Sequence, residues 1–241
     1  MKVIVTKNYE ELSKVAAGVV IDVVKGNPSA ILGLATGSRP IGLYTELIAA
    51  NKNGEVSFKN VSTVNLDEYV GLPQGHDQSY DYFMKDNLFN HIDIDIANTN
   101  LPKGDVSDLS AECARYTALL GKLQQDIQVL GIGSNGHIGF NEPNTPFDST
   151  THIVELAEST IKDNSRLFND ISEVPTKAIT MGIANIMNAK KIIVVANGEN
   201  KAKAVAAMVQ GEITELCPAS VLQNHKDVIV VVDEKAASLL K

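Results

Sequence analysis

Short apolar runs alternate with amphipathic segments from one end of the chain to the other. The runs are rich in Val, Ile and Leu, and they predict buried strands. They are Ala30–Leu34, Val61–Leu66, Gln128–Ile132, Ile192–Ala196 and Val228–Val232, with a weaker one at Ala178–Met181. Continuous apolar runs of this kind are typical of a parallel sheet that is covered on both faces.

The segments between these runs carry apolar residues at helical spacing. In Tyr9–Lys25, for example, Leu12, Ala16 and Val20 fall on one stripe. The other predicted helices are Ile41–Asn51, Ser79–Asn90, Leu109–Gln124, Lys201–Val209 and Glu234–Leu240. This alternation predicts an α/β fold with a single doubly wound, mostly parallel, Rossmann-like sheet and helices on both faces. We expect one domain over residues 1–241.

The chain is acidic, with a formal net charge of −8 over 241 residues. Nonspecific binding to DNA or RNA requires a basic surface, so no nucleic-acid partner is expected. An anionic ligand would have to be held by local donors. The chain has only three arginines for this purpose, namely Arg39, Arg115 and Arg166.

The two cysteines, Cys113 and Cys217, form no CxxC motif and no cluster with histidine. Neither a disulfide framework nor a zinc site is expected, and no other metal or cofactor is predicted. The N-terminal residues lack the apolar segment of a signal peptide, and no apolar run reaches the ~18 residues of a membrane span. We therefore expect a cytoplasmic protein with no membrane partner.

Four predicted strands are followed at once by polar, Gly-rich or ionisable residues. Ligands of open α/β sheets bind beyond the carboxyl ends of the strands. After the first strand, Thr36, Gly37 and Ser38 precede Pro40, which suits the first turn of a helix. Hydroxyls and backbone N–H groups at that place can bind an anion. The alternative is an ordinary turn in which Ser38 caps the helix.

Charged residues follow two of the other strands. Asp67 and Glu68 are adjacent, and neighbours on a strand point to opposite faces, so at most one is expected to enter a cleft. Lys201 begins a predicted helix, where a positive side chain is unfavourable unless an anion is nearby. A solvated strand end and an exposed lysine are the respective alternatives.

The segment Val129–Pro143 carries the strongest signal. Residues Gly131–Gly136 match the dinucleotide-binding pattern GxGxxG, but the glycine and proline that follow would interrupt the helix that this motif requires. We expect the glycines to let the backbone pass close to a different ligand. His137 and Glu142 lie in the same loop, and a histidine with a carboxylate partner is the usual acid–base arrangement near neutral pH. A solvated loop histidine is the alternative.

Two candidate anion sites therefore accompany one carboxylate–histidine cluster. The anion sites are Thr36–Ser38 and Lys201, and the cluster is Asp67, His137 and Glu142. This combination favours proton abstraction or ring opening on a phosphorylated polyol. The residues alone do not identify the substrate.

These segments also resemble the glucosamine-6-phosphate deaminase family, in order along nearly the whole chain. The matching pieces are LGLATGS, NLDEYVGLP, SYDYFM, LGIGSNGHIGFNEP, NSRLF and the segment at Lys201. The related 6-phosphogluconolactonases share the fold and a similar glycine-rich loop. They usually lack the Asn-Glu-Pro continuation that is present here at Asn141–Pro143.

The resemblance implies conversion of glucosamine 6-phosphate and water to fructose 6-phosphate and ammonia. It implies that Asp67 moves a proton between C2 and C1, and that His137 opens the sugar ring with the support of Glu142. The phosphate group would be held by Thr36, Gly37, Ser38, Arg166 and Lys201. The expected partner is this small-molecule substrate, and the expected assembly is a monomer or a small homo-oligomer.

Two positions depart from the family pattern. Asn135 stands where many members have aspartate, and its carbonyl is expected to accept a hydrogen bond from the imidazole. An amide supplies no negative charge, so it should stabilise the imidazolium less than a carboxylate would. Arg39 stands where many members have Ser or Thr, and its guanidinium either contacts phosphate or points to water. The second orientation is favoured.

Two other functions stay open. One is a 6-phosphogluconolactonase-like hydrolase, which needs water attack on a lactone and no acceptor for a C2 proton. The other is a non-catalytic sugar-phosphate sensor, a kind of protein that typically carries a DNA-binding module. This chain has no basic N-terminal helix-turn-helix segment, and both Asp67 and Glu142 are present.

The resemblance also generates a prediction about regulation. Some longer deaminases are hexamers that N-acetylglucosamine 6-phosphate activates through basic side chains after the Asn-Glu-Pro turn. The aligned positions here are His152 and Val154, and Thr150–Leu156 contains no Lys or Arg. Because allostery requires an effector that binds two states differently, we predict no activation by the acetylated sugar and hyperbolic saturation by glucosamine 6-phosphate. A sigmoidal saturation curve that the acetylated sugar makes hyperbolic would contradict this.

Overall fold

The structure is a computed structural model, and it describes residues 1–73, 75–156, 170 and 173–241. The strands are β1 Lys2–Thr6, β2 Ile31–Leu34, β3 Ser62–Asn65, β4 Asp67–Tyr69, β5 Thr99–Asn100, β6 Ile127–Leu130, β7 His152–Glu155, β8 Lys177–Thr180, β9 Ile192–Ala196 and β10 Val228–Asp233. The α-helices are α1 Tyr9–Gly26, α2 Ile41–Lys52, α3 Tyr80–Asn87, α4 Leu109–Lys122, α5 Ile183–Met187 and α6 Ala202–Gln210. Short 3-10 helices lie at Phe89–His91, Ile96–Asn98, Glu199–Lys201 and Pro218–Asn224.

Seven strands form one sheet in the order β1-β10-β9-β6-β2-β3-β5. Every neighbouring pair in this sheet is parallel. The central strands β9, β6 and β2 are apolar apart from the buried Gln128, because helices cover both faces and a strand buried on both sides presents no polar alternation. The doubly wound, mostly parallel α/β fold predicted from the apolar runs is confirmed.

Two apolar cores lie on the two faces of the sheet. On one face, Leu12, Ala16 and Val20 of α1 pack with Leu32 and Leu34 of β2. On the other face, side chains of α4 and α6 pack against the sheet, and they include Tyr116, Leu120, Val205 and Met208. Helix α1 begins where the Asn8 side chain accepts a hydrogen bond from the backbone N–H of Glu11, which satisfies one of the free donors of the first turn.

A second, smaller sheet is antiparallel and has the order β4-β8-β7. The sequence did not predict it, and Ala178–Met181 contributes its strand β8 to this sheet instead of to the parallel one. The chain changes sheets at Leu66. The Leu66 N–H donates to the Leu34 carbonyl beside the main sheet, and its carbonyl accepts from Met181 N–H beside the small sheet.

The predicted helix over Glu234–Leu240 is wrong, because residues 234–239 form turns. The Asp233 carboxylate at the end of β10 accepts hydrogen bonds from the N–H groups of Ala236 and Gly198. These bonds tie the turn to the loop after β9. After one i→i+4 bond from Ala237 N–H, the bonds of Ser238 and Leu240 are of the i→i+3 type, so turns form in place of a regular α-helix. Among the residues that the structure covers, no helix is long and apolar enough to cross a membrane.

Tyr44 anchors the segment that follows β2. Its side chain is fully buried, and its hydroxyl donates to the Ala35 carbonyl at 2.6 Å and accepts from the Ala35 N–H at 3.2 Å. Ala35 lies just beyond the last residue of β2 and has left the ladder of the sheet. One side chain of α2 therefore satisfies both backbone groups at the start of the turn that contains Thr36–Ser38.

We predict that Tyr44→Phe lowers the free energy of unfolding by about 2–3 kcal/mol, because both backbone groups of Ala35 lose their buried partner. Urea unfolding followed by circular dichroism measures this change. Tyr82→Phe is the matched control, because Tyr82 is 41% exposed and the loss of its hydroxyl should change stability by less than about 0.5 kcal/mol. Equal effects of the two substitutions would contradict the prediction.

Candidate active site

A cavity of about 320 Å³ lies at the edge of the main sheet where the carboxyl ends of neighbouring strands meet. It is lined by residues that follow four adjacent strands, namely Ala35–Pro40 after β2, Leu66 and Asp67 after β3, Gly131–Ser134 and His137 after β6, and Lys201 after β9. The strands that follow β2 in the chain, β3 and β5, lie on one side of it in the sheet. β6 lies on the other side of β2, and β9 and β10 continue in that direction, so the strand order reverses between β2 and β6. Such a switch point is where open α/β sheets bind ligands.

Asp67 is the buried acid in the wall of this cavity. The residue is 6% exposed, and none of the residues that the structure describes donates a hydrogen bond to its carboxyl group. Removal from water disfavours the ionised form, and the neighbouring Glu68 charge disfavours it further. Together these two effects raise the pKa of Asp67 to about 8. Asp67 can therefore exchange a proton near neutral pH.

Glu68 points away from the cavity and performs a structural task. Its carboxylate accepts hydrogen bonds from the backbone N–H groups of Tyr69, Tyr80 and Asp81, each at 2.9 Å. Two of these donors belong to the first turn of α3, where helix N–H groups lack partners. Burial raises the pKa of Glu68 to about 7, and the three hydrogen bonds oppose the rise. The prediction that at most one of the adjacent carboxylates enters the cleft is confirmed.

His137 and Glu142 form a close pair at the mouth of the cavity. The distance from His137 Nδ1 to Glu142 Oε1 is 3.1 Å, which suits an ion pair, although the two groups are not aligned for a straight hydrogen bond. The contact with His137 holds the pKa of Glu142 below its ordinary value. The predicted pairing of this histidine with a carboxylate is thus present in the structure.

Asn135 does not bind the imidazole, and that expectation is wrong. Its amide NH₂ donates to Glu142 Oε2 at 2.7 Å, and its carbonyl accepts from the backbone N–H of His137 at 3.2 Å. A carboxylate can accept only from the NH₂ side of an amide, which turns the Asn135 carbonyl away from the ring. Asn135 therefore positions Glu142, and Glu142 supplies the negative charge beside the histidine.

Two residues, Asn141 and Gly133, fix the loop that carries His137. The buried Asn141 side chain donates to the carbonyls of Ile138 and Met181, which ties the loop to the end of β8. A methyl group at Gly133 would lie 2.3 Å from atoms of the His137 ring, so a side chain there would displace the imidazole. At this position the glycine makes room for the histidine itself, and no ligand is needed to explain it.

Gly139 places the same loop beside Asp67. It has a φ of +58°, and a methyl group there would lie 3.1 Å from Thr180 Oγ1 and 3.6 Å from Asp67 Oδ2.

The helix that a dinucleotide-binding motif requires is absent, since no helix is present over residues 131–149. The predicted interruption of a helix after GxGxxG is confirmed.

The cavity lining also contains a turn and two cations. Thr36, Gly37 and Ser38 line the cavity together with Lys201, as does Arg39. Because the cavity is open to solvent, the expectation that Arg39 points to water stays a prediction. Burial, followed by the charge of Arg39, lowers the pKa of Lys201. In the part of the chain that the structure describes, neither cation forms a salt bridge.

Arg166, a predicted phosphate ligand, lies outside the described residues. The cavity also has two aromatic lining residues without a predicted role. They are Tyr80 and Phe140, and their rings stack nearly parallel with centroids 6.4 Å apart. Tyr80 lies in the matching piece SYDYFM and at the predicted start of a helix, but neither signal shows that α3 begins beside Asp67.

Chemically, the cavity offers a buried proton acceptor, a histidine–carboxylate pair and two cations. No group of three or more His, Cys, Asp or Glu side chains that could hold a metal ion occurs among the described residues. Asp67, His137 and the two cations line one cavity of about 320 Å³. A cavity of this volume can hold a small polar metabolite. The fold and this cavity define the class of the chain as a Rossmann-like α/β enzyme of small-molecule metabolism.

Comparison with known proteins specifies the class further. Residues 7–231 match the family model described as glucosamine-6-phosphate isomerases/6-phosphogluconolactonase, and the chain belongs to this family. A glucosamine-6-phosphate deaminase of Clostridium perfringens strain ATCC 13124 is 54% identical over 242 residues, with all of both chains covered. One from Thermoanaerobacter sp. strain X514 is 52% identical and covers all of this chain and 95% of its own length.

Solved structures give the same result. A monomeric glucosamine-6-phosphate deaminase superposes with a TM-score of 0.95 at 49% identity, with 99% of this chain and 100% of the other covered. A 6-phosphogluconolactonase from Trypanosoma brucei superposes with a TM-score of 0.78 at 19% identity, with 100% and 98% covered. At that identity the second similarity shows the fold alone.

The buried carboxyl group of Asp67 generates a prediction about stability. An unfolded chain releases this proton at its ordinary pKa of 3.8, whereas the folded chain keeps it until about pH 8. Between these values the folded state binds more protons than the unfolded state, so stability falls as the pH rises. An asparagine side chain cannot ionise. We therefore predict that Asp67→Asn is more stable than the parent at about pH 8, and that this advantage is smaller at about pH 5.

Urea unfolding of both proteins at the two pH values measures the difference. Asp86→Asn is the matched control, because Asp86 is exposed to solvent and its substitution should show no such dependence on pH. A stability difference between Asp67→Asn and the parent that is the same at both pH values would contradict the raised pKa.

Proposed function

We propose that the chain is a glucosamine-6-phosphate deaminase, which converts glucosamine 6-phosphate and water to fructose 6-phosphate and ammonia. The observation that carries the proposal is the placement of buried Asp67 in one cavity with His137 and two cations. The deaminases that are 52–54% identical over the whole chain support it.

His137 performs the first step. Its imidazole accepts the proton of O1 and returns a proton to O5, which breaks the C1–O5 bond and opens the pyranose ring. Glu142, with its Oε1 3.1 Å from Nδ1, stabilises the positive charge that the imidazole acquires. Asn135 holds the other oxygen of Glu142 at 2.7 Å and keeps the carboxylate facing the histidine.

Asp67 performs the isomerisation. In its ionised form it removes the proton from C2, and an enolamine forms between C1 and C2 as the aldehyde oxygen takes up a proton from the C2 ammonium group. The carboxyl group then returns the proton to C1, which leaves an iminium group at C2. Water adds to C2, and ammonia and a proton leave, so the product is the 2-ketose. The raised pKa of about 8 suits this exchange, because a base is most effective when its pKa lies near the working pH.

The phosphate group is held at the other end of the cavity. We assign it to Thr36, Gly37, Ser38 and Lys201, and to Arg166 on the basis of the family resemblance alone. Hydroxyls and backbone N–H groups beside a helix start bind anions, and charge-assisted bonds from lysine strengthen the contact. Anchoring at C6 places C1 and C2 in the part of the cavity that Asp67 and His137 line.

A lactonase is the second candidate, and the fold is compatible with it. The observation against it is the buried position of Asp67, since hydrolysis of a lactone needs no acceptor for a C2 proton.

We further propose that residues 1–241 form one domain, because the cavity draws on residues from Ala35 to Lys201 and β1 pairs with β10. We propose a monomeric enzyme in the cytoplasm, where charged sugar phosphates are retained, and the solved monomeric deaminase supports the first part.

The test is an ammonia-release assay on the purified protein. Glucosamine 6-phosphate should release ammonia and form fructose 6-phosphate in equal amounts, whereas non-phosphorylated glucosamine should react very slowly. Hydrolysis of 6-phosphogluconolactone is the parallel assay for the second candidate. A protein that opens the lactone and releases no ammonia is a lactonase, and the proposed function is then wrong.

We predict that Asp67→Asn lowers kcat for ammonia release by about 10²–10⁴-fold, because the amide cannot accept the C2 proton. KM should change little, since Asp67 does not contact the phosphate group. Asp86→Asn, which replaces an exposed aspartate, is the control and should keep the parental rate. Near-normal turnover of Asp67→Asn would contradict the role assigned to this residue.

A further inference from the structure

Arg39 lies in the cavity with an unfilled hydrogen-bonding capacity. Its Nη1 donates to Ser38 Oγ at 3.0 Å. Its Nε is buried and has no hydrogen-bond partner among the described residues. A buried guanidinium N–H without an acceptor is unfavourable, so native structures rarely leave one unpaired. The guanidinium therefore has hydrogen-bonding capacity that no described residue fills, and its side chain lines the cavity.

A second cation faces the same part of the cavity. Lys201 is half-buried and lines the cavity with Arg39, and the charge of Arg39 is one of the causes that lower the pKa of Lys201. No carboxylate in the described ranges forms a salt bridge with either side chain. Two like charges repel each other in this arrangement, and an anion between them is attracted by both.

The backbone beneath Arg39 is fixed independently of any ligand. The hydroxyl of Tyr9 in α1 donates to the carbonyls of Arg39 at 2.8 Å and Ser38 at 3.1 Å. The same hydroxyl accepts from the N–H of Gly42 in α2 at 2.9 Å. These bonds attach the turn to two helices, so the arginine side chain starts from a defined position at the cavity wall.

We propose that Arg39 binds the phosphate group of the substrate together with Lys201 and the Thr36–Ser38 turn, and so contributes to selection of phosphorylated sugars. A guanidinium presents parallel N–H groups in a planar fork that matches two phosphate oxygens. The identity of the sugar rests on the proposed function. The contact between Arg39 and a phosphate does not, and it can be measured without turnover.

The experiment uses inorganic phosphate as the probe and isothermal titration calorimetry of the full chain as the measurement. Arg39→Gln keeps much of the length of the side chain and a donor for Ser38 Oγ, but removes the charge and the fork. The Kd for phosphate should rise about tenfold, which is the usual effect of losing one charge-assisted hydrogen bond to an anion. KM for glucosamine 6-phosphate should rise by a similar factor, and kcat should stay within about threefold.

Two further variants separate a direct contact from a change of overall charge. Lys203→Gln also removes one positive charge, but Lys203 is exposed on α6 and does not line the cavity, so its Kd should stay within about twofold of the parental value. Arg39→Lys keeps the charge and loses the fork, so it should give an intermediate Kd. Melting temperatures of all variants verify that each is folded.

The inference is overturned if Arg39→Gln is folded and binds phosphate as tightly as the parent, or if Lys203→Gln weakens binding to the same extent. Absence of measurable phosphate binding by the parent overturns it as well. The proposed function fails separately. A parent that releases no ammonia, but whose phosphate affinity depends on Arg39, contradicts the deaminase activity and leaves the phosphate contact standing.

Discussion

Parallel pairing of β9, β6, β2 and β3 brings the carboxyl ends of four neighbouring strands to one edge of the sheet. The strands are buried, and they carry no charged residue, although β3 and β6 contain the buried polar residues Thr63, Asn65 and Gln128. Charged residues therefore begin only where each strand stops. The turn at Thr36, the acid at Asp67, the loop at His137 and the cation at Lys201 all share this origin, and they converge because the strands are adjacent.

A second constraint acts at Leu66, where the chain passes from the parallel sheet to the antiparallel one. The residue bonds to Leu34 on one side and to Met181 on the other, so the next residue, Asp67, begins β4 at the junction of the two sheets. This position removes its carboxyl group from water and raises its pKa to about 8. A buried acid of this kind lowers stability where it ionises, and that cost accompanies its capacity to exchange protons.

The adjacent residue shows how environment separates two similar side chains. Glu68 is as buried as Asp67, but its carboxylate accepts three backbone N–H groups and caps α3. The alternation of side chains along a strand places the two on opposite sides. The Asp67 carboxyl group lies in the cavity wall and receives no hydrogen bond from the residues that the structure describes. The Glu68 carboxylate lies outside the cavity and holds the start of α3, the helix whose Tyr80 lines the cavity.

Much of the site follows from residue types and their order. Apolar runs showed where strands end, and His137, Glu142 and Thr36–Ser38 were found because polar residues follow those ends at once. Contacts between segments could not be found in this way. The small sheet pairs β4, residues 67–69, with β8, residues 177–180. Neither segment carries a local sequence pattern that predicts which strand it pairs with. The bond from Gly198 N–H to the Asp233 carboxylate likewise joins two loops that are distant in sequence.

The sequence by itself determined the doubly wound fold, the family and the set of ionisable residues. The spacing of apolar residues within a segment and the order of motifs along the chain can both be read without knowing which segments touch. Only the tertiary structure decided what each ionisable group faces. It turned the amide of Asn135 toward Glu142, placed Arg39 beside Lys201 and buried the carboxyl group of Asp67. The physical reason is that hydrogen bonding and desolvation depend on atoms within a few ångströms, and folding alone brings such atoms together from distant parts of the chain.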